Sequence, residues 1–260
     1  EEIAKFRSAR KIWAKIMKNR YEVTNEKAMM CRFHTQTGGS TLTSEQADNN
    51  TVRTTIQALS AVLGGTQSLH TNSRDEALSL PTNESVKLAL RTQQIIAHET
   101  NIINYPDPLG GSYLIEELTE NLVKKTFDLI DEIDSMGGSI SAIKSGWIEN
   151  EISRSAYEYQ KNIDNKNQII VGINKYKDHE NEQIDTFDID LDSANEQIDS
   201  LKLYKDNRDN DSVKMRLNKL KTLAKSDSNI MPGLIKCVHS KCTLGEMSDT
   251  LREVFGDYSL

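Results

Sequence analysis

Two stretches decide the fold: Ala28-Met29-Met30-Cys31-Arg32-Phe33-His34-Thr35-Gln36-Thr37-Gly38-Gly39-Ser40, and Gly64-Gly65-Thr66-Gln67-Ser68-Leu69-His70-Thr71-Asn72-Ser73. The first opens on an apolar run over residues 28–34 that suits a buried strand, ended by the polar turn Thr37-Gly38-Gly39-Ser40. The second is a shorter strand over residues 66–70, set off by a glycine pair. Between them Val52, Ile56, Leu59 and Leu63 recur at helical spacing, so a helix runs to about Leu63 and Gly64-Gly65 terminates it. Thr43 with Gln46 has the spacing of a capping box for its start, with Leu42 as a staple. A further amphipathic helix comes first, over residues 1–20, through Ile3, Phe6, Ala9, Trp13 and Ile16. The order helix, strand, helix, strand predicts parallel strands joined by crossover helices, an α/β architecture.

Outward from there the pattern becomes helical. Another helix starts near Thr82. Tyr105 to Gly111 is a turn-rich loop holding two of the four prolines. Ile115, Leu118, Leu122, Leu129, Ile133 and Met136 mark a long helix closed by Gly137-Gly138, and Trp147 to Ile163 marks another. Gln168 to Gly172 is one more strand candidate. From about residue 193 the tail reads as helical, its last helix opened by a capping box from Thr243 to Glu246.

Composition narrows the class. Of 260 residues, 37% are apolar and 27% charged, enough for a core and too polar for a membrane protein. No run approaches the roughly 18 apolar residues of a spanning helix. Three cysteines, Cys31, Cys237 and Cys242, are too few and too scattered for a disulfide framework or a zinc site, and an odd count suits a reducing, cytoplasmic compartment. The net charge of −7 is uneven: Asp178 to Asp199 carries nine acidic and no basic residues, and the remainder is close to neutral. Nothing marks a nucleic-acid surface. Within the acidic stretch, Asp188, Asp190 and Asp192 lack the glycine and the final glutamate of a calcium loop. The alternation of Phe187, Ile189 and Leu191 reads as an edge strand.

Candidate chemistry concentrates at the two strand ends. His34 is followed by Thr35, Gln36, Thr37 and two glycines, and His70 by Thr71, Asn72, Ser73, Asp75 and Glu76. In α/β folds ligands gather at the C-terminal ends of parallel strands, although polar turns alone would look the same. Gly38-Gly39 could admit a bulky planar ligand or could only make a tight turn. His98, His179 and His239 have no polar company and no metal-ligand spacing. There is no dinucleotide fingerprint, phosphate loop or nucleophile elbow.

The blocks from Arg32 to Gly38, Asn49 to Thr54, Gly64 to Ser73, Asp75 to Leu78 and Leu80 to Thr82 resemble the large (alpha) subunit of methylmalonyl-CoA mutase. Asp107 to Tyr113, Val171 to Tyr176 and Thr243 to Glu246 continue the resemblance in order, across essentially the whole chain. It implies an adenosylcobalamin-dependent radical enzyme that interconverts methylmalonyl-CoA and succinyl-CoA, an intramolecular transferase of propionate metabolism. It also implies a partial (β/α)₈ TIM barrel. Residues 1–110 would be the C-terminal part of that barrel, holding its last two strands. Residues 111–260 would be a mostly helical extension leading toward a cobalamin-binding domain or small subunit. About six further strands would precede residue 28 and would carry the catalytic residues, so this segment alone is expected to be inactive and none of its own residues is assigned as catalytic. By the same resemblance, His34 and Gln36 line the acyl-CoA channel, as does Gln67. Asn72 and Glu76 hold the adenosyl ribose, and Gly39 and Ala77 pack against the corrin. The expected partners are the acyl-CoA substrate and a cobalamin-binding small subunit, in a dimer or heterotetramer, with no membrane and no nucleic acid. Gly39-Ser40 and Leu109 depart from the family, which often has an aromatic after the first glycine and usually Trp at the later position. Mutases of 2-hydroxyisobutyryl-CoA or isobutyryl-CoA are the neighbouring alternatives. A non-catalytic mutase-like partner subunit is another, and the presence of Asn72 and Glu76 argues against it.

Overall fold

The computed structural model describes residues 1–178, 186–187 and 190–257. The chain divides into two compact units, Glu1–Phe187 and Asp188–Leu260. The first contains the helices α1 (Glu2–Asn19), α2 (Asn49–Leu63), α3 (Asn83–Glu99), α4 (Tyr113–Ser135), α5 (Ser139–Lys144) and α6 (Trp147–Asp164). Among its described residues the two strands, β1 (His34–Gln36) and β2 (Ser68–His70), pair in parallel with His34 opposite Ser68, Thr35 opposite Leu69 and Gln36 opposite His70. The first unit is thus mostly helical around a small parallel sheet, with the expected helix–strand–helix–strand order.

The helices pack through small residues. Ala4 and Ser8 are the buried residues of α1, and the Ser8 hydroxyl lies 2.7 Å from the Ala4 carbonyl and 3.0 Å from that of Thr119 on α4. Cross-helix ion pairs line this contact: Arg7 with Asp107 and Glu116, Lys11 with Glu120, and Arg20 with Asp134. Phe6 stacks on Phe33 with ring centroids 5.6 Å apart. A Cβ on Gly64 would fall 2.6 Å from the Phe6 ring, so the glycine that ends α2 is required by the ring beside it. On α2 the buried residues are Asn50, Thr54, Ala58 and Ala61, whereas Val52 and Ile56 are exposed. Of the large apolar residues expected to face inward, Val52 and Ile56 therefore point outward and Leu59 and Leu63 are half-buried, and the fully buried stripe is of small and polar residues.

Several local expectations are corrected. The apolar run over residues 28–33 is not a strand. The Asn25 side chain accepts from the Lys27 N–H at 3.0 Å and starts a 3-10 turn over Glu26–Met29, and the Trp13 indole donates to the Ala28 carbonyl at 3.1 Å. The strand begins only at His34, so His34 opens β1 where the sequence placed it at the strand's C-terminal end. The Thr43–Gln46 capping box does not form. Buried Asn50 accepts from the Thr43 N–H at 3.1 Å and donates to the Thr43 and Arg74 carbonyls at 2.8 and 2.9 Å. That clamp delays the helix to Asn49, and Gln46 adopts a left-handed φ of 48° and donates to the Tyr176 carbonyl instead. Gln168–Gly172 is a turn with one isolated bridge, Val171 to Lys175, because the Asn174 amide donates to the Gln168 and Ile163 carbonyls. Of the acidic stretch and the edge strand expected there, residues 179–185 and 188–189, with His179, lie outside the described residues. Asp190 N-caps the next helix, which begins at Leu191.

The second unit contains α7 (Leu191–Asp206), α8 (Asn210–Ala224), α9 (Met231–His239) and α10 (Leu244–Phe255), the helical tail the sequence predicts. Val213, Leu220, Cys237, Cys242 and Met247 form its core. Burial pushes the Cys237 thiol up to about 11 and raises that of Cys242, so both stay protonated and behave as small apolar residues. The capping box forms as expected: Thr243 and Glu246 exchange bonds, with Thr243 N–H to Glu246 Oε2 at 2.8 Å. Glu246 is also gripped by both terminal nitrogens of Arg208, at 2.8 and 2.5 Å. The Arg208 guanidinium, against the opposing effect of burial, and the Thr243 N–H hold the Glu246 carboxyl down at about 2. Since the folded state depresses this group below its ordinary 4.5, its contribution is complete above pH 4.5 and fades as pH falls toward 2. Glu246→Gln is expected to cost about 2 kcal/mol at neutral pH. Urea unfolding across a pH series should show the gap from the parent protein close on acidification.

Candidate functional site

Alternation along a strand, together with the parallel register, assigns His34 and Gln36 of β1 to the same face as Ser68 and His70 of β2. All of these residues are exposed, and His34 Nδ1 lies 2.7 Å from the Ser68 hydroxyl. Thr35 and Leu69 occupy the opposite face, where the Thr35 and Thr66 hydroxyls meet at 2.7 Å. The exposed face offers imidazole, amide and hydroxyl groups, a set suited to carbonyl and amide oxygens and N–H groups. A cleft of about 560 Å³ opens beside it, lined by His34, Gln36, Gly38, Gln57, Phe6 and Ile56.

Beyond the strands the two loops are tied together. The Thr37 N–H donates to the His70 carbonyl at 3.1 Å, and the Asn72 N–H donates to the Thr37 hydroxyl at 2.9 Å. That hydroxyl donates to Asn72 Oδ1 at 2.8 Å. From α2, Gln57 accepts from the Gly38 N–H at 2.6 Å and donates to the Thr41 hydroxyl at 2.7 Å. Thr71 bonds the Ala89 carbonyl of α3 at 2.7 Å. Asp75 is fully buried and accepts from the Thr82 N–H at 3.0 Å, which fixes the loop to the start of α3. Burial by itself would raise the Asp75 carboxyl. The hydrogen bonds it accepts, that of the Thr82 N–H foremost, prevail and hold it below the usual range, so it is a charged anchor at neutral pH.

Within this frame Asn72 is buried and its Nδ2 has no partner in the protein. A Cβ on Gly39 would lie 2.9 Å from Asn72 Nδ2 and 3.4 Å from Glu76 Oε1. The bare backbone of Gly39 therefore packs directly beside an amide donor and a carboxylate acceptor, where a side chain would not fit. Glu76 and Ala77 are exposed, and Glu76 with His70, Ser73, Val86 and Gln93 also lines a smaller cavity of about 130 Å³.

The structure thus brings His34 with Gln36, and Gly39 with Asn72 and Glu76, and sets Ala77 next to Glu76. It does not bring Gln67 to His34 and Gln36. One residue before β2, Gln67 shares the parity of Leu69, and its amide accepts from the Phe33 N–H at 2.8 Å and donates to the Gly65 carbonyl at 3.0 Å. Residues that the sequence did not single out are Thr37, Asn50, Gln57 and the anchoring role of Asp75. Their partners lie 7 to 35 positions away, which no local spacing reveals.

The family model of methylmalonyl-CoA mutase matches residues 1–257. Over 260 residues the chain is 42% identical to a protein of Aquincola tertiaricarbonis named 2-hydroxyisobutanoyl-CoA mutase large subunit, covering 99% of this chain and 46% of that protein. It is 39% identical to methylmalonyl-CoA mutase of Rhizobium meliloti (strain 1021), covering 99% and 36%. It is 41% identical over 259 residues to mitochondrial methylmalonyl-CoA mutase of Homo sapiens, covering 99% and 34%. The chain spans between about a third and just under half of the length of these curated relatives. With a family match from end to end and the polar strand ends in the order that the family motifs run, the chain belongs to the methylmalonyl-CoA mutase family.

Proposed function

We propose that this chain is part of the catalytic subunit of an adenosylcobalamin-dependent mutase that interconverts methylmalonyl-CoA and succinyl-CoA. The observation that carries the reading is the buried Nδ2 of Asn72, without a partner in the protein, gathered with the Glu76 carboxylate against the bare backbone of Gly39. That arrangement fits an adenosyl group. Vicinal ribose hydroxyls both donate and accept, so Asn72 can donate to one while Glu76 accepts from either. The bare backbone of Gly39 and the small Ala77 allow a flat macrocycle to come close. When bound, the cofactor supplies the radical chemistry of a carbon-skeleton rearrangement. The residues of this chain bind and orient: His34 and Gln36 hold the acyl-CoA from the exposed sheet face, and Asn72 and Glu76 fix the nucleoside. The assignment of Gln67 to the acyl-CoA channel requires its amide to leave the Phe33 N–H.

The wider reading makes β1 and β2 the last two strands of a (β/α)₈ barrel within residues 1–110, with residues 111–260 leading toward the cobalamin-binding domain or subunit. Two strands cannot close a barrel, and the exposed Val52 and Ile56 would be covered by its remainder. The printed name "large subunit" of the Aquincola relative supports a separate smaller partner. Among the described residues no helix is long and apolar enough to cross a membrane. The sparse, odd cysteine count supports a cytoplasmic setting. The 42% identity to a 2-hydroxyisobutanoyl-CoA mutase favours one second reading, the same rearrangement on a hydroxylated acyl group.

The test assays the complete enzyme with its cobalamin-binding partner and adenosylcobalamin, following both acyl-CoA esters by chromatography. Succinyl-CoA should form from methylmalonyl-CoA, and Glu76→Ala should lower kcat/KM by about 10- to 100-fold through loss of charge-assisted hydrogen bonds. Turnover of the hydroxylated ester alone would select the second reading, and turnover of neither would overturn both. In the same enzyme Asp75→Ala leaves the Thr82 N–H without its acceptor. A melt should show a loss of about 1–3 kcal/mol.

A further inference from the structure

We propose that Thr37 is a positioning residue that fixes the amide of Asn72, so that its donor end faces the ligand. The inference rests on the adenosyl reading of the site and adds a residue from the other strand end. Thr37 and Asn72 are 5% and 3% exposed, so water does not compete for their bonds.

A threonine hydroxyl has one proton. The Asn72 N–H is 2.9 Å from Thr37 Oγ1 and can only donate, so the hydroxyl accepts there. Its own proton is therefore free for the Asn72 side chain at 2.8 Å, and the atom receiving it must be an acceptor. The arrangement that uses this proton sets Oδ1 against Thr37 and leaves Nδ2 on the side of Gly39 and Glu76. The reverse orientation would take this acceptor away from the hydroxyl proton and turn Oδ1 toward the Glu76 carboxylate, acceptor against acceptor. A site of acceptors alone binds only the protons of a diol. With Thr37 in place, a donor stands beside an acceptor, the complement of vicinal hydroxyls. The same hydroxyl links the two loops, since the Thr37 N–H also bonds the His70 carbonyl.

Thr37→Val keeps the volume and removes the hydroxyl, and Thr37→Ser keeps the hydroxyl. The complete enzyme with its cobalamin-binding partner is titrated with adenosylcobalamin and, separately, with hydroxocobalamin, which lacks the adenosyl group, by visible absorbance. Thr37→Val should weaken adenosylcobalamin about 10-fold, the effect of one buried hydrogen bond misplaced, and leave hydroxocobalamin unchanged. Thr37→Ser should stay within about 3-fold of the parent for both. Equal adenosylcobalamin affinity in parent and Thr37→Val, or equal weakening of both cobalamins, would overturn the proposal. Neutron crystal structures of the deuterated parent and of Thr37→Val, in which the deuterium atoms mark the amide nitrogen, read the amide directly. Rotation of the Asn72 amide in the variant is expected, and an unmoved Asn72 overturns the proposal whatever the titrations give. A parent enzyme without preference for adenosylcobalamin over hydroxocobalamin would sink the adenosyl reading, leaving the crystal structures to decide the role of Thr37.

Discussion

A parallel ladder of three residues on each side has too few main-chain bonds to hold two strands, and side chains complete it. Buried N–H and C=O groups must find partners, and at this sheet the flanking ones find them across the pair. The Phe33 N–H goes to the Gln67 amide, the Thr37 N–H to the His70 carbonyl, and the Asn72 N–H to the Thr37 hydroxyl. The Thr35–Thr66 and His34–Ser68 contacts add lateral ties on the two faces. The short strands are thus extended at both ends by polar side chains. At the C-terminal end those side chains are also the ones that shape the site.

What surrounds this ladder is built for close approach. Ala4, Ser8, Ala58 and Ala61 are buried, and Gly64 makes room for the Phe6 ring against Phe33. Small residues let helices and strands come near without large side chains between them, which places polar loop atoms within hydrogen-bond reach. The ion pairs of Arg7 and Lys11 with α4 and its preceding loop then fix the orientation of α1. Val52 and Ile56 of α2 stay exposed and take no part in this packing.

That inversion explains what the sequence made legible. Helix existence followed from periodicity and from stop signals such as Gly64-Gly65 and Gly137-Gly138, and the parallel sheet from the alternation of elements. The buried face of α2 was not legible, because periodicity weighs large apolar residues and this face is Asn50, Thr54 and alanines. The Thr43 cap failed for the same kind of reason: its partner is Asn50, whose second bond crosses to the Arg74 carbonyl. By contrast the Thr243–Glu246 box formed, because Arg208 reinforces the local pattern instead of competing with it. At the site, the strand-end motifs marked His34, Gln36, Gly39, Asn72 and Glu76. The contribution of Thr37 required the register, which matches residues 34 positions apart.

An unpaired polar atom points the same way as the geometry. Asn72 Nδ2 is buried without a partner in the protein, whereas the Ser73 side chain helps to hold the Asp75 carboxyl down. A buried polar atom without a partner costs roughly 1–3 kcal/mol relative to a bonded one. Native proteins satisfy most buried polar groups. A ligand that accepts from the Asn72 amide would recover that cost. Binding to the folded state alone also stabilises it by mass action. Loop order and ligand occupancy are then two sides of one equilibrium. Asp75, bonded to Thr82 through one oxygen, anchors the loop to α3 three residues beyond Asn72.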